Sequence, residues 1–277
     1  MRPRDRRADG RERDVSQRLS HDPRIRLLTR RDGRVGRACR GKVYARVSIQ
    51  VYPMPREQYQ ERLDGLREDI LFMSELVADR LRMGMDALET KDVEVAQQVI
   101  EEDAEINDLY LELEQECIDL FALQQPVAGD LRFIAASFKI ITDLERIGDL
   151  ATNLGEYTLE AERDVFPDVD VQRIGERTLV MLSDAMEAYA AEDPDACYAV
   201  AEADDTVDEM CTGASNTVVR ELIESETTDT DADLEHLLQD VSRLLLTIRD
   251  LERVGDHTVN IAARTLYMVE NDDTLIY

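Results

Sequence analysis

Residues 143–154 read DLERIGDLATNL, and the same pattern recurs at residues 250–261 as DLERVGDHTVNI. Seven of the twelve aligned positions are identical. A match this dense within one chain indicates an internal repeat. The apolar pattern around both copies has helical spacing, so each copy is predicted to lie on a helix.

Each copy carries two acids and one amide at positions i, i+4 and i+8, which fall on one face of a helix. These residues are Glu145, Asp149 and Asn153 in the first copy, and Glu252, Asp256 and Asn260 in the second. Like charges one turn apart destabilise an isolated helix by about 0.2–0.5 kcal/mol. The internal glycine of each copy costs about 1 kcal/mol relative to alanine. Because these unfavourable residues occur twice, we expect a compensating feature: a cation on the carboxylates, or another backbone packed closely on the glycine. A solvated acidic face is the alternative.

The chain has 277 residues and a formal net charge of −28, but its two parts differ in sign. Residues 1–53 contain 16 Lys+Arg and 6 Asp+Glu, a net charge of +10, whereas residues 54–277 have a net charge of −38. The basic leader has little periodic apolar pattern and is predicted to be disordered. Two interpretations stay open: an extension upstream of a true start at Met54, or a basic arm that binds the phosphates of nucleic acid.

The body, residues 54–277, has two lysines, Lys91 and Lys139, against 55 acids. This composition is similar to that of proteins from halophiles that accumulate salt in the cytoplasm. It argues against direct DNA binding by the body, because phosphates would be repelled. No apolar run approaches the roughly 18 residues of a membrane span. The body is therefore expected to be cytoplasmic, with its cysteines as buried thiols.

Six long helices are predicted after Met54 from apolar residues at helical spacing and from the positions of proline and glycine. Their approximate ranges are 57–89, 92–123, 130–160, 168–190, 194–224 and 234–270. The pair Asp193-Pro194 is a good cap for the fifth helix. The order long helix, long helix, motif helix occurs twice. We therefore predict an all-α fold of two tandem three-helix bundles, residues 54–163 and 164–277, with antiparallel neighbours.

The second helices of the two units also correspond, since DAEIN at 103–107 aligns with DDTVD at 204–208. Three acids of these segments, Asp103, Asp204 and Asp208, could complete acid clusters from the adjoining helix. A solvated or capping role is the alternative for them.

The motif arginines, Arg146 and Arg253, are expected to pair with neighbouring acids such as Asp143 and Asp250. Contact with phosphate is a weaker alternative for these two arginines.

The carboxylates suit hard and borderline cations, including calcium, magnesium and manganese. An enzyme is not expected. The chain has no Glu-x-x-His pair of a ferritin-like di-iron centre. It has no GxxxxGK[ST] phosphate loop and no GxSxG nucleophile elbow. Acids without a nucleophile, a base or a substrate pocket do not make a mechanism.

The segment QQPVAGDLR at 124–132, followed by DLERIGD at 143–149, resembles the PhoU family. The second DLERVGD, at 250–256, fits the second repeat of that family. The resemblance covers about residues 54–277 and implies a phosphate-signalling regulator built from two three-helix bundles. The chain departs from the pattern where Leu238-Gln239 stands in the position of Leu131-Arg132. Whatever Arg132 does in the first unit is therefore expected to be absent from the second.

The resemblance implies a cytoplasmic adaptor that represses phosphate uptake and phosphate-starvation genes when phosphate is plentiful. The implied partners are the ATP-binding subunit of the Pst phosphate ABC transporter, a sensor histidine kinase, and a second copy in a homodimer. It also implies multinuclear iron or zinc held by Glu145, Asp149, Glu252 and Asp256. A metal-binding structural or storage protein is the alternative function.

Overall fold

The structure is a computed structural model that describes residues 56–123, 127–160, 169–224 and 231–276. Within these ranges all regular secondary structure is helical. The helices are α1 Arg56–Thr90, α2 Val93–Glu101, α3 Asp103–Leu123, α4 Ala128–Glu160, α5 Val171–Ala191, α6 Pro194–Glu224 and α7 Asp231–Glu270. The predicted all-α fold is confirmed, with the second predicted helix divided into α2 and α3.

The helices pack as two groups of the predicted composition. The first bundle contains α1, α2–α3 and α4, and the second contains α5, α6 and α7. The bundles contact each other through α4 against α7 and through α1 against α5, and residues 54–277 form one compact unit. The predicted boundary at 163/164 lies outside the described residues, as does the basic leader.

The division between α2 and α3 occurs at Glu102, where no proline or glycine is present. The backbone amide of Glu102 still bonds to the carbonyl of Gln98 at 3.0 Å, and α3 begins at the next residue. Arg80 of α1, only 9% exposed, pairs with Glu102 and with Glu105, the latter at 3.0 Å. This ion pairing fixes the junction of α2 and α3 to α1. It joins residues that are distant in sequence, so the local sequence pattern does not predict it.

The helix ends follow the expected capping chemistry. The Asp193 side chain accepts hydrogen bonds from the backbone amides of Asp195 and Ala196 at 3.0 and 3.2 Å, which confirms the predicted cap of α6. The predicted start of α7 after residue 233 was too late, because the helix begins at Asp231.

The core runs through both bundles without interruption and includes Ile70, Leu144 and Leu251, each fully buried. Cys117, Cys197 and Cys211 are free and buried, as expected. None of the helices in the described ranges combines the length and the apolar character that a membrane span requires.

Candidate functional site

The two motif copies lie on α4 and α7 and face each other where the bundles meet. Asn153 Nδ2 donates to Asp250 Oδ2 at 3.0 Å, and its repeat counterpart, Asn260 Nδ2, donates to Asp143 Oδ1 at 3.3 Å. The contact between α4 and α7 is therefore antiparallel and approximately two-fold symmetric. We call it the seam. The residues that form it are Asp143, Asn153, Tyr157, Asp250, His257 and Asn260.

Asp250 is the buried centre of the seam, with a side chain that is fully buried. It accepts a second hydrogen bond from the phenol of Tyr157 at 2.8 Å. Arg249 bonds to its other oxygen at 3.0 Å, and Arg253 lies 3.8 Å away. Burial, followed by the bond to Asp250, raises the pKa of Tyr157 to about 12. A buried carboxylate is stable only when its charge is paired and hydrogen-bonded, and these groups supply both.

Asp143 occupies the equivalent position in the first copy but has different partners. His257 Nδ1 lies 2.9 Å from its Oδ1, and the side chain of Asp143 is 15% exposed. The counterpart of His257 in the first motif is Leu150, which is buried and apolar. The two ends of the seam therefore differ in chemistry even though the backbone arrangement repeats.

Both motif arginines lie beside neighbouring acids, as the sequence predicted. Arg253 lies 3.8 Å from Asp250. For Arg146 the neighbouring acids are Glu145, at 3.6 Å, and Asp149, at 3.4 Å, instead of the example Asp143. The amides of Asn153 and Asn260 are engaged in the seam, as donors to the carboxylate of the opposite motif.

The other two motif acids of α4, Glu145 and Asp149, lie near Asp103 of α3. We call these three residues the first acid cluster. Burial raises the pKa of Glu145, and Asp149 adds to the rise. Burial also raises the pKa of Asp149, with Asp103 as the next cause. Asp103 reaches this cluster from α3, the helix that adjoins the motif helix.

Hydrogen-bond donors surround Asp103. Thr152 Oγ1 donates to its Oδ1 at 3.1 Å, and Asn107 Nδ2 donates to its Oδ2 at 2.7 Å. Sequence reasoning did not identify Thr152 or Asn107 as site residues. The position of Asn107 inside the aligned segment 103–107 was the available signal.

The second acid cluster consists of Asp204, Asp208, Glu252 and Asp256, on α6 and α7. The Oδ1 atom of Asp204 is buried and has no hydrogen-bond partner among the described residues. Burial raises the pKa of Asp204 to about 6, with Asp208 and Asp256 as the next causes. The pKa values of Asp208 and Glu252 are raised by burial and by neighbouring carboxylates.

The two motif glycines lie against different groups. A Cβ atom on Gly148 would lie 3.3 Å from the side chain of Ile106, whereas one on Gly255 would lie 2.7 Å from Asp204 Oδ1. The Gly255 position would also meet Val207, the counterpart of Ile106. The motif glycines are closely packed in both bundles, but against side chains of the adjoining helix and not against the backbone that was predicted. In the second bundle, the absence of a side chain at Gly255 lets the carboxylate of Asp204 lie directly against α7.

The fit of these residues to a divalent cation can be judged from their donor atoms. No three His, Cys, Asp or Glu side chains in the described part of the chain are grouped as a metal-holding set in their present orientations. The second acid cluster nevertheless supplies only oxygen donors, and one buried oxygen lacks a partner. Carboxylate oxygens are the donor type that cations such as Mn²⁺ and Mg²⁺ prefer, and three of these acids, Asp208, Glu252 and Asp256, are exposed.

Arg132 lies at the start of α4 and is half-buried, with an Nε atom that has no hydrogen-bond partner within the described ranges. The residues just before it in the QQP segment, 124–126, lie outside those ranges. Its counterpart, Gln239, is exposed and lines a cleft with Leu159, Glu160 and Arg243. The two units therefore differ here, as the sequence predicted.

Comparison with known proteins places this arrangement in a family. The PhoU domain profile matches residues 70–158 and 171–265, one match for each bundle. The PhoU homolog of Pseudomonas aeruginosa, named a phosphate-specific transport system accessory protein, is 34% identical over 220 residues, covering 78% of this chain and 87% of that protein. The homolog of the same name from Synechocystis is 32% identical and covers 81% and 97%. Escherichia coli PhoU is 28% identical and covers 78% and 87%.

Solved structures give the same result. The crystal structure of PhoU from Pseudomonas aeruginosa superposes with a TM-score of 0.70 at 32% identity, covering 78% of this chain and all of that one. The PhoU regulatory protein of the phosphate transport system from Streptococcus pneumoniae superposes with a TM-score of 0.70 at 25% identity. The doubled motif, its two packed helices and these matches across both bundles together show that the chain belongs to the PhoU family.

Proposed function

We propose that this chain is a regulatory accessory protein of phosphate transport that represses uptake through the Pst phosphate ABC transporter when phosphate is plentiful. The observation that carries the proposal is the family match across both bundles, with both motif copies on packed helices. The relatives matched over most of their length are named as accessory proteins of the phosphate-specific transport system.

The proposed partner is the ATP-binding subunit of the transporter, with a sensor histidine kinase as a second contact. This assignment comes from the family resemblance and implies a cytoplasmic location. A homodimer is proposed on the same ground. The strongly acidic body, with its net charge of −38, favours partner surfaces that are basic.

A regulatory role fits the chemistry of the described side chains better than an enzymatic one. Burial raises the pKa of the thiols of Cys117 and Cys211 to about 12, and that of Cys197 to about 11. These cysteines are therefore protonated at neutral pH and are poor nucleophiles. The acids of the second cluster help to raise the pKa of the neighbouring Cys211 thiol, which disfavours its reactive thiolate form.

We also propose that cation binding at the motif acids contributes to regulation. The family resemblance implies iron or zinc, and the all-oxygen donor set also suits manganese or magnesium. Storage of metal as the main function is less well supported, because the relatives are named for phosphate transport.

Binding of the full chain to the purified ATP-binding subunit of its own host's Pst transporter tests the adaptor function. The measurement is biolayer interferometry in a KCl-rich buffer, with the ATP-binding subunit of an unrelated importer as control. Saturable binding to the Pst subunit alone is expected. Equal binding to both subunits, or none to the Pst subunit when both proteins are folded, would count against the adaptor function.

A further inference from the structure

One exposed side of α3 carries apolar residues at a regular spacing. Ala104, Leu111 and Ile118 lie one heptad apart, so they share one side of the helix. All three are exposed, and the exposed fractions of Leu111 and Ile118 are 57% and 46%. Phe121, which is 39% exposed, lies one turn beyond Ile118. An apolar stripe on a helix normally faces another protein surface.

The described part of the chain does not cover this stripe. Among the described helices α3 contacts α1, α2 and α4, and it makes no contact with the second bundle. Its opposite side is already in the core, where Ile106, Leu113, Cys117 and Leu120 are buried. The helix therefore lies at the edge of the first bundle, with one apolar side packed and the other open.

Acids accompany the open stripe. Each of its heptad residues is followed directly by an acid: Glu105, Glu112 and Asp119. Residues 93–123, which include α2 and α3, contain ten acids and neither lysine nor arginine. In paired helices, the charges beside the apolar contact determine which partner is accepted. The stripe is therefore complementary to a helix with lysine or arginine beside its own apolar residues, whereas a second copy of α3 would bring acids against acids.

The internal repeat shows that the fold alone does not require this stripe. When the alignment of 103–107 with 204–208 is continued along α6, Leu111 corresponds to Thr212 and Asp119 corresponds to Arg220. An apolar residue is thus replaced by a polar one, and an acid by a base. The combination of apolar stripe and acids belongs to the first bundle only.

We propose that the exposed side of α3 is a docking surface for a basic amphipathic helix of a partner protein. Apolar residues of the partner pack on Leu111, Ile118 and Phe121, and its lysines or arginines lie beside Glu112 and Asp119. This inference rests on the proposed adaptor function and deepens it, because it assigns partner binding to one helix of the first bundle.

A synthetic peptide tests the surface independently of any natural partner. The peptide is about three heptads long, with leucine at positions a and d and lysine at e and g. A second peptide has the same composition in a shuffled order, so that its leucines do not share one side. Binding to the full chain is measured by fluorescence anisotropy at low and high KCl.

The heptad peptide should bind at least tenfold more tightly than the shuffled peptide, with an affinity that falls as KCl screens the charges. Equal affinity for the two peptides would mean that net charge alone attracts them, and it would overturn the proposal.

Variants locate the binding surface. Leu111→Ser/Ile118→Ser should abolish the preference for the heptad peptide. The matched control is Val219→Ser, at the repeat counterpart of Ile118, because Val219 has nearly the same exposed fraction, 47%. This control should keep the preference. Circular dichroism shows that each variant is folded. A preference that persists in Leu111→Ser/Ile118→Ser would overturn the assignment to α3.

Other occupants of the surface give different results. A dimer of the full chain that dissociates in Leu111→Ser/Ile118→Ser, measured by sedimentation equilibrium, would assign the surface to a second copy. Residues 54–277 form one compact unit. Binding of the heptad peptide to this unit but not to the full chain would assign the surface to the basic leader. Either result would overturn the proposal.

The Pst ATP-binding subunit separates this inference from the adaptor function. Leu111→Ser/Ile118→Ser should bind that subunit at least tenfold more weakly than the wild type. Equal binding by the wild type and the variant would overturn the docking surface while the adaptor function stands. If the wild type does not bind the subunit, the adaptor function fails, and the peptide measurements decide the surface by themselves.

Discussion

The amide of Asn153 donates to the buried carboxylate of Asp250 at 3.0 Å and so joins the first motif to the second across the seam. Its repeat counterpart makes the same contact in the opposite direction, from Asn260 to Asp143. The doubled motif therefore has two faces with different tasks. One face holds the two bundles together, and the other presents acids toward the adjoining helix.

Replacement of Asp250 by alanine should destabilise the protein more than replacement of Asp143. Asp250→Ala leaves the donors of Asn153 and Tyr157 without their acceptor, at a cost of about 2–4 kcal/mol. Asp143→Ala should cost about 1 kcal/mol, because its carboxylate is partly exposed and its amide donor, Asn260, is also exposed. Guanidinium chloride unfolding gives both values. Equal losses would argue against Asp250 as the centre of the seam.

The phenol of Tyr157 gives the seam a pH dependence. Its folded pKa, about 12, lies above the ordinary tyrosine pKa of 10.0, because burial and the bond to Asp250 disfavour the phenolate. The stabilisation is therefore complete below pH 10 and is lost as pH rises toward 12. Ultraviolet titration of the wild type minus Tyr157→Phe should show one phenol that ionises near pH 12. Ionisation of that phenol near pH 10 would contradict the assignment.

Two glycines of α1 should respond to alanine in opposite directions. A Cβ at Gly65 meets nothing within 4 Å, so Gly65→Ala should stabilise the helix by about 1 kcal/mol. A Cβ at Gly84 would lie 3.0 Å from the carbonyl oxygen of Ala151, so Gly84→Ala should cost about 1–3 kcal/mol. Denaturant unfolding of both variants checks this. A gain in stability from Gly84→Ala would show that α1 and α4 are not in close contact at Gly84 and Ala151.

Removal of Arg80 should loosen the junction of α2 and α3. Arg80→Ala leaves Glu102 and Glu105 without their shared guanidinium, and we expect a loss of about 1–2 kcal/mol. Hydrogen exchange should accelerate around Glu102 more than in the middle of α1. Exchange that accelerates uniformly over the chain would indicate a general loss of stability instead.

The sequence predicted the helices well because their apolar spacing is regular, and it identified the motif because the motif occurs twice. It placed Glu145, Asp149 and Asn153 on one face, and that grouping was too coarse. Each step of four residues turns an α-helix by about 40° beyond a full turn, so Asn153 is rotated by about 80° from Glu145. This rotation carries Asn153 to the seam, while Glu145 stays with the acids.

The interruption at Glu102 coincides with an ion pair to Arg80, which is remote in sequence. Helical periodicity alone cannot reveal such a contact, and it predicted one continuous helix from 92 to 123. One difference between the two acid clusters is visible in the sequence alignment of 103–107 with 204–208, where Asn107 is aligned with Asp208. Its meaning required the structure, because only packing shows that Thr152 and Asn107 donate to the same carboxylate.

Phosphate uptake in the host organism tests the regulatory function most directly. Uptake of labelled phosphate is measured in phosphate-replete medium for the wild type, a strain without this gene, and that strain complemented with the full chain. Loss of the gene should raise uptake and derepress phosphatase expression, and complementation should restore both. Unchanged uptake and unchanged phosphatase expression in the deletion strain would contradict a role as a repressor of phosphate transport.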